Sequence, residues 1–507
     1  MKNVLSLACG LLMATQAMAV SVSNVCGKFV GNLVIGDESY DNKQVYVLPG
    51  TVANTITFVL PDFSYGALNL GDIVLVDLAM NDAGELTLEN RPLYIKAINE
   101  RAIISFTTIE DGGMTYSSGL SSSGAMALLQ IVTPSLPEPL FVIFMGEKIY
   151  GNYVLPNSNF EAGWSDGETS GWNSFKAATG TFASMVNGNT QQFTQQPGYS
   201  GHGVCLTSNM VMSVKANGTM TNGQVSAGAM TATDPANNTF SDPANTGYNT
   251  PFIGNPDSIA FWTKFVPADR NPNNSDNEAR MHTVITTNAR YQDPEGSNNY
   301  AAVKVAEATS NYRATADLGW QRIAVPFVYS ESVSPEQAAY ILATFTTCST
   351  AGGGSTYRVK VGGSFINPKY EYHYDSCYID EIQLIYSRAL NTLTFEGQNV
   401  TGNVWTTSEE YSDELYTIVA TPKSRFGKAF VGYNAENNFA VVYSVGSDYP
   451  ANTANYSVCK IQMAPASTTD ISNTSDEAVK AIKFFRNGQL YIRRGNQIYN
   501  IQGIRVK

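Results

Sequence analysis

Apolar and polar residues alternate with a period of two along most of this chain, in short stretches closed by Gly, Pro, Asn or Asp. From Val25 to about Ile149 the stretches read "CGKFVGNLVI", "QVYVLPG", "NTITFVLPDF", "GDIVLVDLAM", "GELTLENRPLYI", "RAIISFTTI", "AMALLQIVT" and "LFVIFMGEK". Successive side chains of a strand point to opposite faces, so each run offers one apolar face. About eight strands in about 125 residues, with no helical period between them, predict a closed antiparallel barrel over residues 20–150.

Residues 154–388 repeat the pattern in longer form, with "SIAFWTKFVPA", "MHTVITTNARY", "WQRIAVPFVYS", "AAYILATFTTC", "YRVKVGG" and "CYIDEIQLIY". Long Asn/Gly/Ser/Pro loops separate them, notably 217–257 and 267–278. Long loops on a strand-rich scaffold predict a β-sandwich with binding on its loops. "SPEQAAYIL" at 334–342 is the candidate helical turn. Six or seven short strands over 389–463 predict a small sandwich of immunoglobulin-like size. The polar run 464–480 reads as a linker. Residues 481–507, with Asn487-Gly488 and Gly495-Asn496 turns, read as a β-meander tail.

Composition supports an all-β reading. Only 15% of the 507 residues are charged, while Tyr and Phe number 28 and 23, residues that suit strands. A net charge of −12 argues against a nucleic-acid partner. One lysine, the apolar run "VLSLACGLLMATQAMA" and small residues at Ala17 and Ala19 make residues 1–19 a signal peptide, cleaved near Ala19. No other run approaches about 18 apolar residues, so no transmembrane segment is expected. The expected location is secreted or cell-surface. Cys26, Cys205, Cys348, Cys377 and Cys459 are widely spaced without a Cys-x-x-Cys pair, which favours buried thiols, with a Cys348–Cys377 bridge as the alternative.

"CGKFVGNLVI" and "NTITFVLPDFSYGALNLGDIVLVDL" resemble the calycin-like β-barrel family of exported Bacteroidetes proteins, although Phe29 stands where lipocalins carry a Trp. "NSNFEAGW", "PGYSGHGVCLTS", "TPFIGNPDSIAFWTKFVP", "GWQRIAVPFVYS" and "CYIDEIQLIY" resemble the Bacteroidetes PCMD carbohydrate-metabolism family, in that family's order. The resemblance implies a jelly-roll sandwich similar to glycan-binding modules. "NGQLYIRRGNQIYNIQGIRVK" resembles the C-terminal sorting domain of type IX secretion substrates, which implies recognition by secretion machinery.

In glycan-binding jelly rolls a structural calcium ties the first strand to the last, and Asn159, Glu161 and Asp380 are the matching positions. Calcium takes six to eight oxygens, which carboxylates and carbonyls supply. Sugar rings stack on flat aromatic faces while their hydroxyls find amides and carboxylates, so Trp164, Trp172, Trp262, Tyr370, Tyr372 and Tyr374 are the candidate ligand-binding residues. A glycoside hydrolase would instead need two of Glu161, Glu168, Asp375, Asp380 and Glu381 as a carboxyl pair. Strict alternation places Asp380 and Glu381 on opposite faces and excludes that pairing. His202, His282 and His373 form no zinc motif. Carbohydrate binding without catalysis is the first reading, hydrolysis the second, and a structural or adhesive surface protein the third.

Overall fold

The computed structural model is all-β. It describes residues 20–66, 68–111, 113–164, 169–187, 193–211, 213–465, 481–486, 489–494, 497–500 and 505–506. The signal-like segment 1–19, most of the 464–480 run and Glu168 lie outside the described residues.

The first sheet runs in the order Leu68–Ala79, Thr55–Tyr65, Glu38–Pro49, Gly27–Ile35, Leu140–Lys148, Gly124–Val132, Glu100–Phe106, Arg91–Ile95. Consecutive strands pair, except that Leu68–Ala79 and Arg91–Ile95 are left as the two edges, and the first long strand pairs with the last, which rolls the sheet up. Arg91 reaches the Val76 carbonyl between the two edge strands. Inside, Phe29, Leu33, Phe58, Leu60, Leu129 and Phe144 are buried together, so large side chains fill this barrel. Its other face is not left to water. Tyr46, Leu48, Val59, Val74 and Val76 are also buried, which accounts for the unbroken apolar run Ile73–Val76 where strict alternation would have a polar residue.

The central sandwich has two five-stranded sheets. One is ordered Phe193–Pro197, His202–Thr207, Ser376–Ile385, Ser258–Val266, Gln321–Pro326. The other is ordered Thr219–Thr221, Tyr340–Thr346, Ala279–Thr286, Lys304–Tyr312, Val328–Tyr329. Phe261, Phe265, Ile379, Met281, Ile341 and Phe345 meet between them in one core, capped by Phe160 and Trp172. The candidate helical turn at 334–342 is only a 3-10 turn at Pro335–Gln337. Its apolar "YILATF" is taken into the strand Tyr340–Thr346, because burial against the second sheet outweighs local preference.

Beyond Tyr386 the chain forms a three-stranded and a four-stranded sheet between Leu390 and Ala464. This piece returns to the barrel. Phe430, Phe439, Val441, Tyr443 and Val445 cover the barrel's outer wall, and the Tyr443 and Tyr449 hydroxyls donate to the Pro49 and Val47 carbonyls, each at 2.9 Å. Gly432 has no side chain where Val74 and Val76 come in. Asp413 receives both guanidinium nitrogens of Arg101 at 2.9 and 2.7 Å. The tail contains a four-stranded sheet from Ala481–Arg486 to Arg505–Val506. All five described cysteines are buried free thiols, and no helix among the described residues is long and apolar enough to cross a membrane.

Candidate functional site

The outer face of the sheet that contains Ser376–Ile385 carries aromatic and charged side chains. Trp262 pairs with Asp380 and Lys264 with Tyr378 across two neighbouring strands, so period-two geometry brings all four to one face. Phe261, Phe265 and Ile379, the alternate positions, fill the core. Between Ala260 and Trp262 the register shifts: Glu381 is an extra residue in a left-handed conformation with φ of 49°. This bulge breaks the strict alternation expected for Asp380 and Glu381, so Asp380 points outward and Ile382 still turns inward.

The turn Gly198–Gly201 folds over this face. Tyr199 lies flat on Trp262, with ring centroids 3.5 Å apart and planes 8° from parallel. Trp320 stands edge-on to Tyr199 at 6.3 Å and to Tyr378 at 6.3 Å. The Lys264 ammonium sits 4.0 Å from the Tyr378 ring centre and 5.5 Å from that of Trp320. Burial pushes the Tyr378 phenol up to about 12, so it stays a neutral hydroxyl. Tyr199 is 50% exposed and presents the free side of the stack. The result is an aromatic platform with a cation at its edge.

Two carboxylates hold the turn from opposite ends. Asp380, fully buried, accepts the Ser200 N–H at 2.9 Å and the Glu381 N–H at 2.8 Å. Its carboxyl is raised above the usual range because burial disfavours its charge. Glu161 accepts the His202 N–H at 2.7 Å and lies 3.0 Å from the ring Nδ1 of the same histidine. Those hydrogen bonds hold its carboxyl below the usual range. A Cβ on Gly198 would meet Asp380, and one on Gly201 would meet the Glu161 carboxylate, so both glycines are required by close approach.

The expected calcium ligands are therefore turned toward N–H donors. Asn159 is 3.5 Å from the Glu161 N–H. No cluster of three or more His, Cys, Asp or Glu able to hold a metal occurs among the described residues.

The other candidates are dispersed. Trp172 is 1% exposed inside the core, donates to the Pro156 carbonyl at 2.9 Å, and offers no face to a ligand. Trp164 packs edge-on to Phe193 and donates to the Phe160 carbonyl at 2.6 Å. Trp262 lies in the platform, but Tyr199 covers one of its faces. Tyr370, Tyr372 and Tyr374 share one face of the strand Pro368–Tyr374, in a separate hairpin with Thr356–Gly363. Asp375 is fully buried and takes up Lys215, Ser355 and the Ala268 N–H. Tyr199, Trp320, Tyr378 and Lys264 were not singled out from sequence. The Trp262-x-Lys264 and Tyr378-x-Asp380 alternations were the available signal.

A second concavity of about 380 Å³ opens over the other sheet, with Phe175, Phe182 and Val225 on its wall and Arg280 and Asp293 at its floor. Arg280 grips Asp293 with two hydrogen bonds of 2.8 Å, so the floor's charges answer one another.

Neither a protein-family profile nor a curated protein matches the chain. Among solved structures, a putative glycoside hydrolase from Bacteroides thetaiotaomicron is similar over 57% of this chain and 86% of its own, at 14% identity and a TM-score of 0.33. A putative glycoside hydrolase from Bacteroides vulgatus is similar over 55% and 94%, at 13% identity and a TM-score of 0.28. A putative outer membrane protein from Bacteroides fragilis is similar over 25% and 52%, at 17% identity and a TM-score of 0.19. Scores this low leave the topology to be read from the chain's own strands.

Proposed function

We propose that the platform of Tyr199, Trp262, Trp320 and Tyr378 binds carbohydrate, and that the chain is an extracytoplasmic glycan-binding protein. The observation that carries this reading is the half-exposed Tyr199, stacked on Trp262 and held in place by a fixed turn. A flat ring already immobilised loses little freedom when a sugar's C–H face settles on it. Lys264 and the Tyr378 hydroxyl supply donors beside the rings for hydroxyl or carboxylate oxygens. Glu161 and Asp380 position the turn instead of reacting, since each carboxylate is engaged by N–H groups of that turn or its own bulge.

The test is titration of the full chain against a glycan panel by calorimetry. Tyr199→Ala and Trp320→Ala are each expected to weaken binding about tenfold, the loss of roughly one aromatic contact, with little change in melting temperature. Unchanged affinity in both variants would sink the assignment of this face. Release of shortened product would make the chain a hydrolase.

A further inference from the structure

The strands Thr356–Gly363 and Pro368–Tyr374 pair only with each other among the described residues, and nearly every residue in them is exposed. Phe365 and Ile366, at the tip between them, are 97% and 94% exposed. Two adjacent large apolar side chains left exposed at the turn of a two-stranded ribbon form an apolar patch of the kind that marks interaction sites. The charge around them is also unusual for this molecule. The hairpin carries three cations, Arg358, Lys360 and Lys369, and one carboxylate, Glu371, in a chain whose net charge is −12. Tyr357, Tyr370 and Tyr372 are exposed along the stem, with the Arg358 guanidinium 4.8 Å from the Tyr370 ring centre.

From the tip the apolar pair comes first, and cations and tyrosines follow at the same levels, Lys360 beside Tyr370 and Arg358 beside Tyr372. At a bilayer surface hydrocarbon likewise gives way to headgroups where cations and amphipathic rings lie together. We propose that this hairpin docks on an anionic lipid surface, with Phe365 and Ile366 at the acyl boundary and Lys360 and Lys369 on the phosphates. Lys369 lies one register step beyond the Gly363–Pro368 pair that closes the tip loop, and so sits directly behind Ile366. Interfacial elements sink only to a shallow depth, roughly 5–10 Å. Insertion stops there because the free N–H and C=O groups along both edges of a two-stranded ribbon cannot enter hydrocarbon unpaired.

The base is built to hold a direction. Asp375 ends the second leg, is fully buried, and accepts from Ser355 Oγ at the first leg at 2.7 Å, from the Ala268 N–H at 2.9 Å and from Lys215 at 3.1 Å. The next residue begins the strand Ser376–Ile385 that carries Tyr378. The hairpin therefore sets the attitude of the aromatic face relative to the surface it meets.

The experiment is flotation of the full chain with phosphatidylcholine vesicles, with and without phosphatidylglycerol. Association with the anionic vesicles is expected, weakened by salt and reduced about tenfold or more in Phe365→Ser/Ile366→Ser. A blue shift of added fluorescence in Phe365→Trp, over that of the parent chain, is expected with the same vesicles. Failure to float with either lipid, or equal flotation of the double variant, would overturn the proposal. So would a dimer that the double variant dissociates without any vesicle binding, since the tip would then be covered by a second copy. An unaltered melting temperature in the double variant shows that a lost association is not lost folding.

Discussion

Glu161 meets His202 through both of its carboxylate oxygens. Its carboxylate is exposed, yet it is engaged by the backbone and ring of His202, and those bonds lower its pKa. A carboxyl whose folded pKa is depressed contributes stability above its unfolded value and loses that contribution as pH falls through the depressed one. Glu161→Gln is therefore expected to lower the melting temperature by about a degree near neutrality, as befits an exposed pair. The difference from the parent should vanish once the pH drops below the lowered Glu161 value. Parallel melting curves across the acid range would mean that the pairing contributes nothing. Asp380 has the opposite sign, since burial raises its pKa and its charged form is disfavoured in the folded chain.

At the scale of the element, the Gly198–Gly201 turn and the Ser376–Ile385 bulge make the site. Gly201 has φ of 51° and leaves room for the Glu161 carboxylate. Gly201→Ala is expected to cost about 1 kcal/mol from the left-handed backbone alone and to displace Tyr199 from Trp262, which calorimetric titration would register as weakened glycan binding. Gly247→Ala, where an added Cβ meets nothing and φ is ordinary, is the matched control and should leave both unchanged. The barrel strands were legible because alternation and turn residues agree over each run. The bulge at Glu381 was not, because it is specified by pairing with Ser258–Val266, and a partner more than a hundred residues away leaves no local period to read.

For the whole molecule, the three folded pieces interlock. The wall of the barrel is apolar because the last sandwich covers it, with Phe430 5.1 Å from the Tyr46 ring centre. Arg388 donates to the Ala454 carbonyl and Ser447 to that of Asn255, which ties the same sandwich to the central one. Phe430→Ala is expected to cost about 3–5 kcal/mol and to split barrel unfolding from sandwich unfolding in a denaturant titration. A single transition at the parent midpoint would show that the wall contributes no coupling.

The sequence by itself determined most of the strands and the all-β class, since these follow from local period and turn chemistry. It also placed a carboxylate and aromatics near the right loops, in "NSNFEAGW", "PGYSGH" and "CYIDE". Only the tertiary structure decided which aromatics face water. Trp172 and Trp262 look alike along the chain, yet one caps the core and the other lies under Tyr199 on an outer face, because burial is a property of the packed sheets. Which residues meet across a sandwich depends on strand order and register, and those are fixed by long-range pairing.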